Sequence, residues 1–173
     1  MGTITLITGG ARSGKSTHAL KLAIPHRRKF FVATGEALDD EMAARIEQHR
    51  RSRPAEFHTV EEPVEIVEAI AKLDGKADLV IVDCLTLWIS NLMMRRGTSD
   101  ERILAEADKL AAALKRASFA SIVVTDEVGA GIVPTDHAES RRFRDLLGWT
   151  NQKIAAAADD VFLMVAGYPM KAK

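Results

Sequence analysis

Ile4-Thr5-Leu6-Ile7-Thr8-Gly9-Gly10-Ala11-Arg12-Ser13-Gly14-Lys15-Ser16 is the stretch on which the fold turns. An apolar, β-branched run reads as a strand, and the residues after Ser16 read as a helix. Between them Gly9 to Ser16 match G-x-x-x-x-G-K-[ST], the phosphate-cradling P-loop, in the strand-to-helix context that the motif requires. Glycines let backbone N–H groups turn inward around phosphate oxygens. Lys15 then reaches the β/γ region, and the Ser16 hydroxyl can ligate Mg²⁺. The nucleotide-binding residues expected here are Gly9, Gly10, Ala11, Arg12, Ser13, Gly14, Lys15 and Ser16, with Lys15 also catalytic.

Outward from this loop, short apolar runs alternate with helical stretches. Strands are expected at Ile4 to Thr8, Lys29 to Thr34, Leu79 to Asp83, Ser121 to Asp126 and Asp160 to Ala166. Helices are expected at Lys15 to Ala23, Asp39 to Arg53, Pro63 to Leu73, Leu85 to Arg95, Asp100 to Ala117 and Ser140 to Ala158. Continuous apolar strands separated by helices predict an α/β fold, a mostly parallel sheet covered on both faces. Ligands in such sheets sit at the carboxyl ends of the strands.

The 173 residues suit one domain spanning 1–173, and 47% hydrophobic residues suffice for a core. A formal net charge of zero lacks the basic footprint of a nucleic-acid binder, which points to a small ligand. One cysteine, Cys84, permits no intrachain disulfide. With no signal peptide and no apolar run of membrane-spanning length, a cytoplasmic protein is expected.

Two acidic strand ends compete to handle metal beside the P-loop: Asp83 after LVIVD, and Asp126-Glu127 after SIVVT. Asp83 is preferred, with Ser16, for Mg²⁺. Glu127 precedes Val-Gly-Ala-Gly-Ile-Val-Pro, a turn that looks mobile, and a substrate-side role there is the weaker reading. In ARIEQHRRSRP, Arg45, His49 and Arg53 stand four apart and would share a helix face. A neutral imidazole there could attack phosphorus while the guanidinium groups hold its charge. On spacing alone, a solvated basic face carrying an incidental histidine is the better account. Cys84 reads as packing.

In their order along the chain, the segments GGARSGKS, FVATGEALDDEMAARIEQHRRSRP, HTVEEP, LVIVDCLTLWISNLM, DEVGAGIVP and RRFRDLLGWTNQKIAAAADDVFLMVAG resemble the bifunctional adenosylcobinamide kinase/adenosylcobinamide-phosphate guanylyltransferases of cobalamin biosynthesis. The resemblance covers almost the whole chain. It implies a RecA-like P-loop fold and two reactions: phosphorylation of adenosylcobinamide by ATP or GTP, then transfer of GMP from GTP, through a guanylylated histidine, to adenosylcobinamide phosphate. The guanylylated histidine falls on His49, in His49-Arg50-Arg51-Ser52-Arg53-Pro54. The implied nucleotide contacts fall on Gly9 to Ser16, on Ala33, Thr34 and Gly35, on Arg50, Arg51, Ser52 and Arg53, and on Glu61 and Asp83. The resemblance also implies a corrinoid substrate and a homo-oligomer. It departs at Asp126, where members often carry Asn, at Phe57, where they often carry Trp, and at Thr34-Gly35, which replaces a more usual small polar pair. A one-step metabolite kinase and a RecA-type ATPase switch acting on DNA or a protein partner are the alternatives.

Overall fold

The computed structural model describes residues 2–37, 39–95, 98–131 and 135–173, together with the backbone but not the side chains of Arg45 and Ser52. A seven-stranded sheet runs in the order β3-β2-β4-β5-β1-β6-β7. Its strands are β1 (Ile4–Gly9), β2 (Lys29–Ala33), β3 (Phe57–Glu61), β4 (Leu79–Asp83), β5 (Ala120–Val124), β6 (Asp160–Val165) and β7 (Tyr168–Lys171). All neighbours are parallel except β6 and β7. The helices are α1 (Lys15–Ala23), α2 (Asp40–Ser52), α3 (Ile66–Ala71), α4 (Leu85–Met94), α5 (Asp100–Arg116) and α6 (Ala138–Ala157).

Strand β4 shows why the sheet is covered twice. Val80 and Val82 join a core cluster with residues of α3, α4, α5 and α6, whereas Leu79 and Ile81 join a second cluster with Ala19 and Ala23 of α1. Side chains alternate along a strand, so the uninterrupted apolar run LVIV needs an apolar partner on each face.

Register then sets the site. Glu61 lies across from Ala33, Ala33 from Asp83, Asp83 from Val124, and Val124 from Ile7 two residues before Gly9. The carboxyl ends of five strands therefore open along one edge, the place where open α/β sheets bind ligands.

Several boundaries differ from the sequence reading. Helix α2 ends at Ser52 rather than Arg53, whose extended backbone (φ −78, ψ 132) precedes Pro54. A residue before proline is pushed out of the helical region, so Arg53 leaves the face that carries His49. Helix α3 begins only at Ile66, because the Glu62 carboxylate accepts the N–H groups of Val64 and Glu65 and closes a turn there. Strands β3 and β7 are additional. The first is a short, largely polar edge strand. The second follows β6 through a tight turn with Ala166 and Gly167 both at positive φ, the backbone signature of a two-residue hairpin.

Candidate active site

Gly9 adopts φ +151, and a Cβ on it would come within 2.7 Å of the Met164 carbonyl oxygen and 2.8 Å of Ser13 Oγ. Gly14 adopts φ +96, and the Cα of Gly167 would lie 3.2 Å from its Cβ. The Gly167 N–H donates to the Ser13 carbonyl at 3.0 Å. The loop is thus closed between its own turn and the β6–β7 hairpin, at a spacing only glycine permits.

Lys15 opens α1 and is buried. Its Nζ donates to the carbonyl oxygens of Gly9 (3.0 Å) and Gly10 (2.7 Å) and pairs with Asp126 Oδ1 at 2.7 Å. Ser16 Oγ donates to Asp83 Oδ2 at 3.1 Å. Burial pushes the Asp83 carboxyl above the usual carboxylate range; Ser16, His49 and Lys15 pull it back, and Asp126 adds to the rise. Burial likewise pushes the neighbouring Cys84 thiol up to about 12, which keeps it protonated and unreactive.

Helix α2 is capped by Asp39, whose side chain accepts the Met42 N–H at 2.7 Å. It carries Asp40 and Glu41 in its first turn and Arg50 and Arg51 in its last, the charge order that complements a helix dipole. Gly35 receives it: a Cβ there would meet Ile46 Cδ1 at 3.2 Å. Met42, Ile46 and His49 follow one another at four and three residues, one helical face, and all three line a cavity of about 920 Å³ with the P-loop, Asp83 and Asp126.

The arginines divide. Arg53 stacks its guanidinium 3.7 Å from the centre of the Phe31 ring and donates to Thr59 Oγ1 at 2.7 Å. Burial lowers its pKa, with Asp83 acting against the shift, and the group stays charged. Arg50 bonds Glu61 and also reaches Glu47. Both Arg50 and Arg53 line the cavity. Arg51 points away, well exposed and paired with Glu47 at 2.9 Å.

The structure therefore brings Ala11 to Ser16, Ala33, Gly35, His49, Arg50, Arg53, Glu61 and Asp83 to one cavity. It does not bring Arg51 there. Thr34 is fully buried beneath it, its hydroxyl donating to the Cys84 carbonyl and accepting the Cys84 N–H, while Asn91 holds its carbonyl. The side chains of Arg45 and Ser52 lie outside the described residues, as do residues 132–134 of the turn after Glu127. Glu127 itself turns inward on its own loop and accepts the N–H groups of Gly129 and Ala130. The sequence reading passed over Phe31, Met42 and Ile46. The helical spacing of the last two against His49 was the available signal.

A parallel sheet, a glycine loop feeding a helix N-terminus and an acidic strand end beside it define a P-loop NTPase fold. Solved structures agree. The RadB recombinase superposes with a TM-score of 0.55 at 20% identity, over 93% of this chain and 73% of its own. An ATPase from a bacterial type III secretion system gives 0.54 at 13% identity, over 94% of this chain and 51% of its own. The family model for cobinamide kinase / cobinamide phosphate guanyltransferase matches residues 5–172, and this chain belongs to that family. It is similar to the bifunctional adenosylcobalamin biosynthesis protein CobU of Escherichia coli K12, at 41% identity over 97% of this chain and 98% of the relative. It is also similar to the bifunctional adenosylcobalamin biosynthesis protein CobP of Pseudomonas aeruginosa, at 39% identity over 97% and 96%.

Proposed function

We propose that this chain phosphorylates adenosylcobinamide from ATP or GTP and then carries GMP from GTP to adenosylcobinamide phosphate by way of His49. The observation that carries the reading is the sharing of one cavity by a P-loop and an exposed histidine flanked by Arg50 and Arg53. A P-loop stabilises phosphate charge but supplies no nucleophile, so a kinase needs only an acceptor hydroxyl, whereas a second transfer through the enzyme needs an attacking side chain.

In the kinase step Lys15 and the loop hold the triphosphate while the corrinoid hydroxyl takes the γ-phosphoryl group. The Ser13 hydroxyl, buried and without a hydrogen-bond partner among the described residues, is available to a phosphate oxygen. In the second reaction a ring nitrogen of neutral His49 attacks the α-phosphorus of GTP and pyrophosphate leaves. A phosphate oxygen of adenosylcobinamide phosphate then attacks the same phosphorus and His49 departs, giving adenosylcobinamide-GDP. Arg50 and Arg53 hold phosphate charge at that phosphorus, and Glu61 holds Arg50. The hydroxyl of Ser16 and the carboxylate of Asp83, 3.1 Å apart, are hard oxygen donors of the kind that hold Mg²⁺ beside substrate phosphates. The ion supplies neutralisation of developing phosphate charge.

Both reactions are assigned to one domain, 1–173, acting on a small molecule rather than nucleic acid, a reading that zero net charge supports. No helix among the described residues is long and apolar enough to cross a membrane. A cytoplasmic homo-oligomer belongs to the same proposal.

Incubation with Mg²⁺ and α-labelled GTP, without corrinoid, tests it. The parent protein retains label after denaturation, lost in mild acid and stable in alkali, because protonation makes imidazole a good leaving group. His49→Ala abolishes the label and keeps the fold, since Ala is a good helix former on an exposed helix face. Label that persists in His49→Ala, or resists acid in the parent, makes His49 a bystander and the chain a one-step kinase.

A further inference from the structure

An ammonium group has three N–H donors, and in Lys15 all three are committed: to the carbonyl oxygens of Gly9 and Gly10 and to Asp126 Oδ1. The carbonyls belong to the loop that the lysine follows. The carboxylate comes from elsewhere in the chain, two residues past the end of β5, and its approach is set from two sides. The Asp126 N–H donates to Thr86 Oγ1 of α4 at 2.9 Å, and Asn151 Nδ2 of α6 donates to the Asp126 carbonyl at 3.1 Å. Asn151 is fixed in turn by the hydroxyl of buried Thr125, which donates to its Oδ1 at 2.8 Å. Two helices thus aim this carboxylate at the lysine on which the P-loop depends.

A phosphate oxygen recruiting Lys15 must take the place of one of its present acceptors. Exchange of anion for anion favours the carboxylate as the one displaced, because the two carbonyls are covalently part of the cradle. Displacement leaves Asp126 charged beside the incoming phosphates, in a cavity that already holds the Asp83 carboxylate. Like charges brought together in a partly desolvated site repel, and cations arriving with the ligand relieve that repulsion.

From this arrangement, which rests on the nucleotide reading above, we propose that Asp126 is a positioning residue that competes with the nucleotide for Lys15. It weakens the binding of metal-free triphosphate and so makes the site select the Mg²⁺ complex. In the absence of phosphates the same carboxylate spares the protein a buried cation held by carbonyls alone.

Equilibrium binding of GTP, in EDTA and in Mg²⁺, to the parent chain and to Asp126→Asn tests the proposal. The amide keeps the shape and an acceptor for Lys15 while removing the charge. Asp126→Asn is expected to tighten metal-free GTP by about tenfold or more and the Mg²⁺ complex by much less. GMP, which lacks the β/γ phosphates, should bind both chains alike. Asp126→Ser, which also lacks the charge, should shift the affinities in the same direction if the Asn variant fails to fold. An unchanged ratio of metal-free to Mg²⁺ affinity, an equal change in both conditions, or looser metal-free binding overturns the role of Asp126 while leaving the transferase reading intact. Absence of any GTP binding by the parent chain overturns both.

Discussion

Helices α1 and α2 both begin at the carboxyl end of a strand and both present cations to one cavity, yet they are held by different physics. Helix α1 buries Lys15, Ala19 and Ala23, and its first turn is continuous with a loop clamped by the β6–β7 hairpin. No described side chain of α2 is fully buried. Its order comes from the Asp39 cap, from charges that match its dipole, and from ion pairs of Glu47 with Arg50 and Arg51. Surface pairs of that kind contribute little, ~0–1 kcal/mol each. The lesson is a division of labour. The phosphate cradle is built into the core, whereas α2, which carries the proposed nucleophile His49, docks near the surface through Ile46 over Gly35 and Arg50 on Glu61.

Lys15→Ala puts the shared cradle to the hardest test. If the cradle serves both reactions, each rate falls by ~10²-fold or more, because each reaction develops charge on a triphosphate that the same loop holds. Kinase and guanylyltransfer rates measured separately check it; a variant that loses phosphorylation but keeps full guanylyltransfer would divide the cavity into two independent sites.

Hydrogen exchange sharpens the contrast in packing. Amides in the middle of α1 should exchange more than about tenfold slower than those of α2, since local opening follows the buried contacts that must be lost. Bound GTP should slow α2 and leave α1 nearly unchanged. Equal protection of the two helices without nucleotide would show α2 to be as firmly built as the cradle.

Smaller effects separate the arginines at the end of α2. Arg53→Ala removes a partly buried guanidinium stacked on Phe31 and should reduce formation of the guanylylated protein by roughly tenfold or more. Arg51→Ala, whose side chain faces away and pairs with Glu47, should stay within about twofold. Initial rates of label incorporation from α-labelled GTP distinguish them. Comparable losses in the two variants would return both residues to a common phosphate clamp.

The arginines also show where sequence reading reached its limit. Arg45, His49 and Arg53 are spaced as one helical face, but Pro54 ends the helix before Arg53, a rule visible in the sequence and overridden there by the periodicity. Strands β3 and β7 escaped because an edge strand has little need of an apolar run: β3 is largely polar, and Tyr168 to Lys171 are all exposed. The core strands were legible for the opposite reason, since burial on both faces forces continuous apolar residues.

Local chemistry was legible in the sequence alone: a glycine loop in the phosphate-cradling pattern, strands that must be covered twice, and a histidine among arginines. These follow from backbone conformation and side-chain type over a few consecutive residues. Which distant groups meet was settled by long-range packing alone. The strand order seats Asp83 beside Ser16, the β6–β7 hairpin closes the loop through Gly167, and α4 and α6 aim Asp126 at Lys15. Those pairings lie 67, 154 and 111 residues apart in the chain, from Ser16 to Asp83, Ser13 to Gly167 and Lys15 to Asp126. No local preference encodes such a meeting; it exists only because the whole sheet packs in one order.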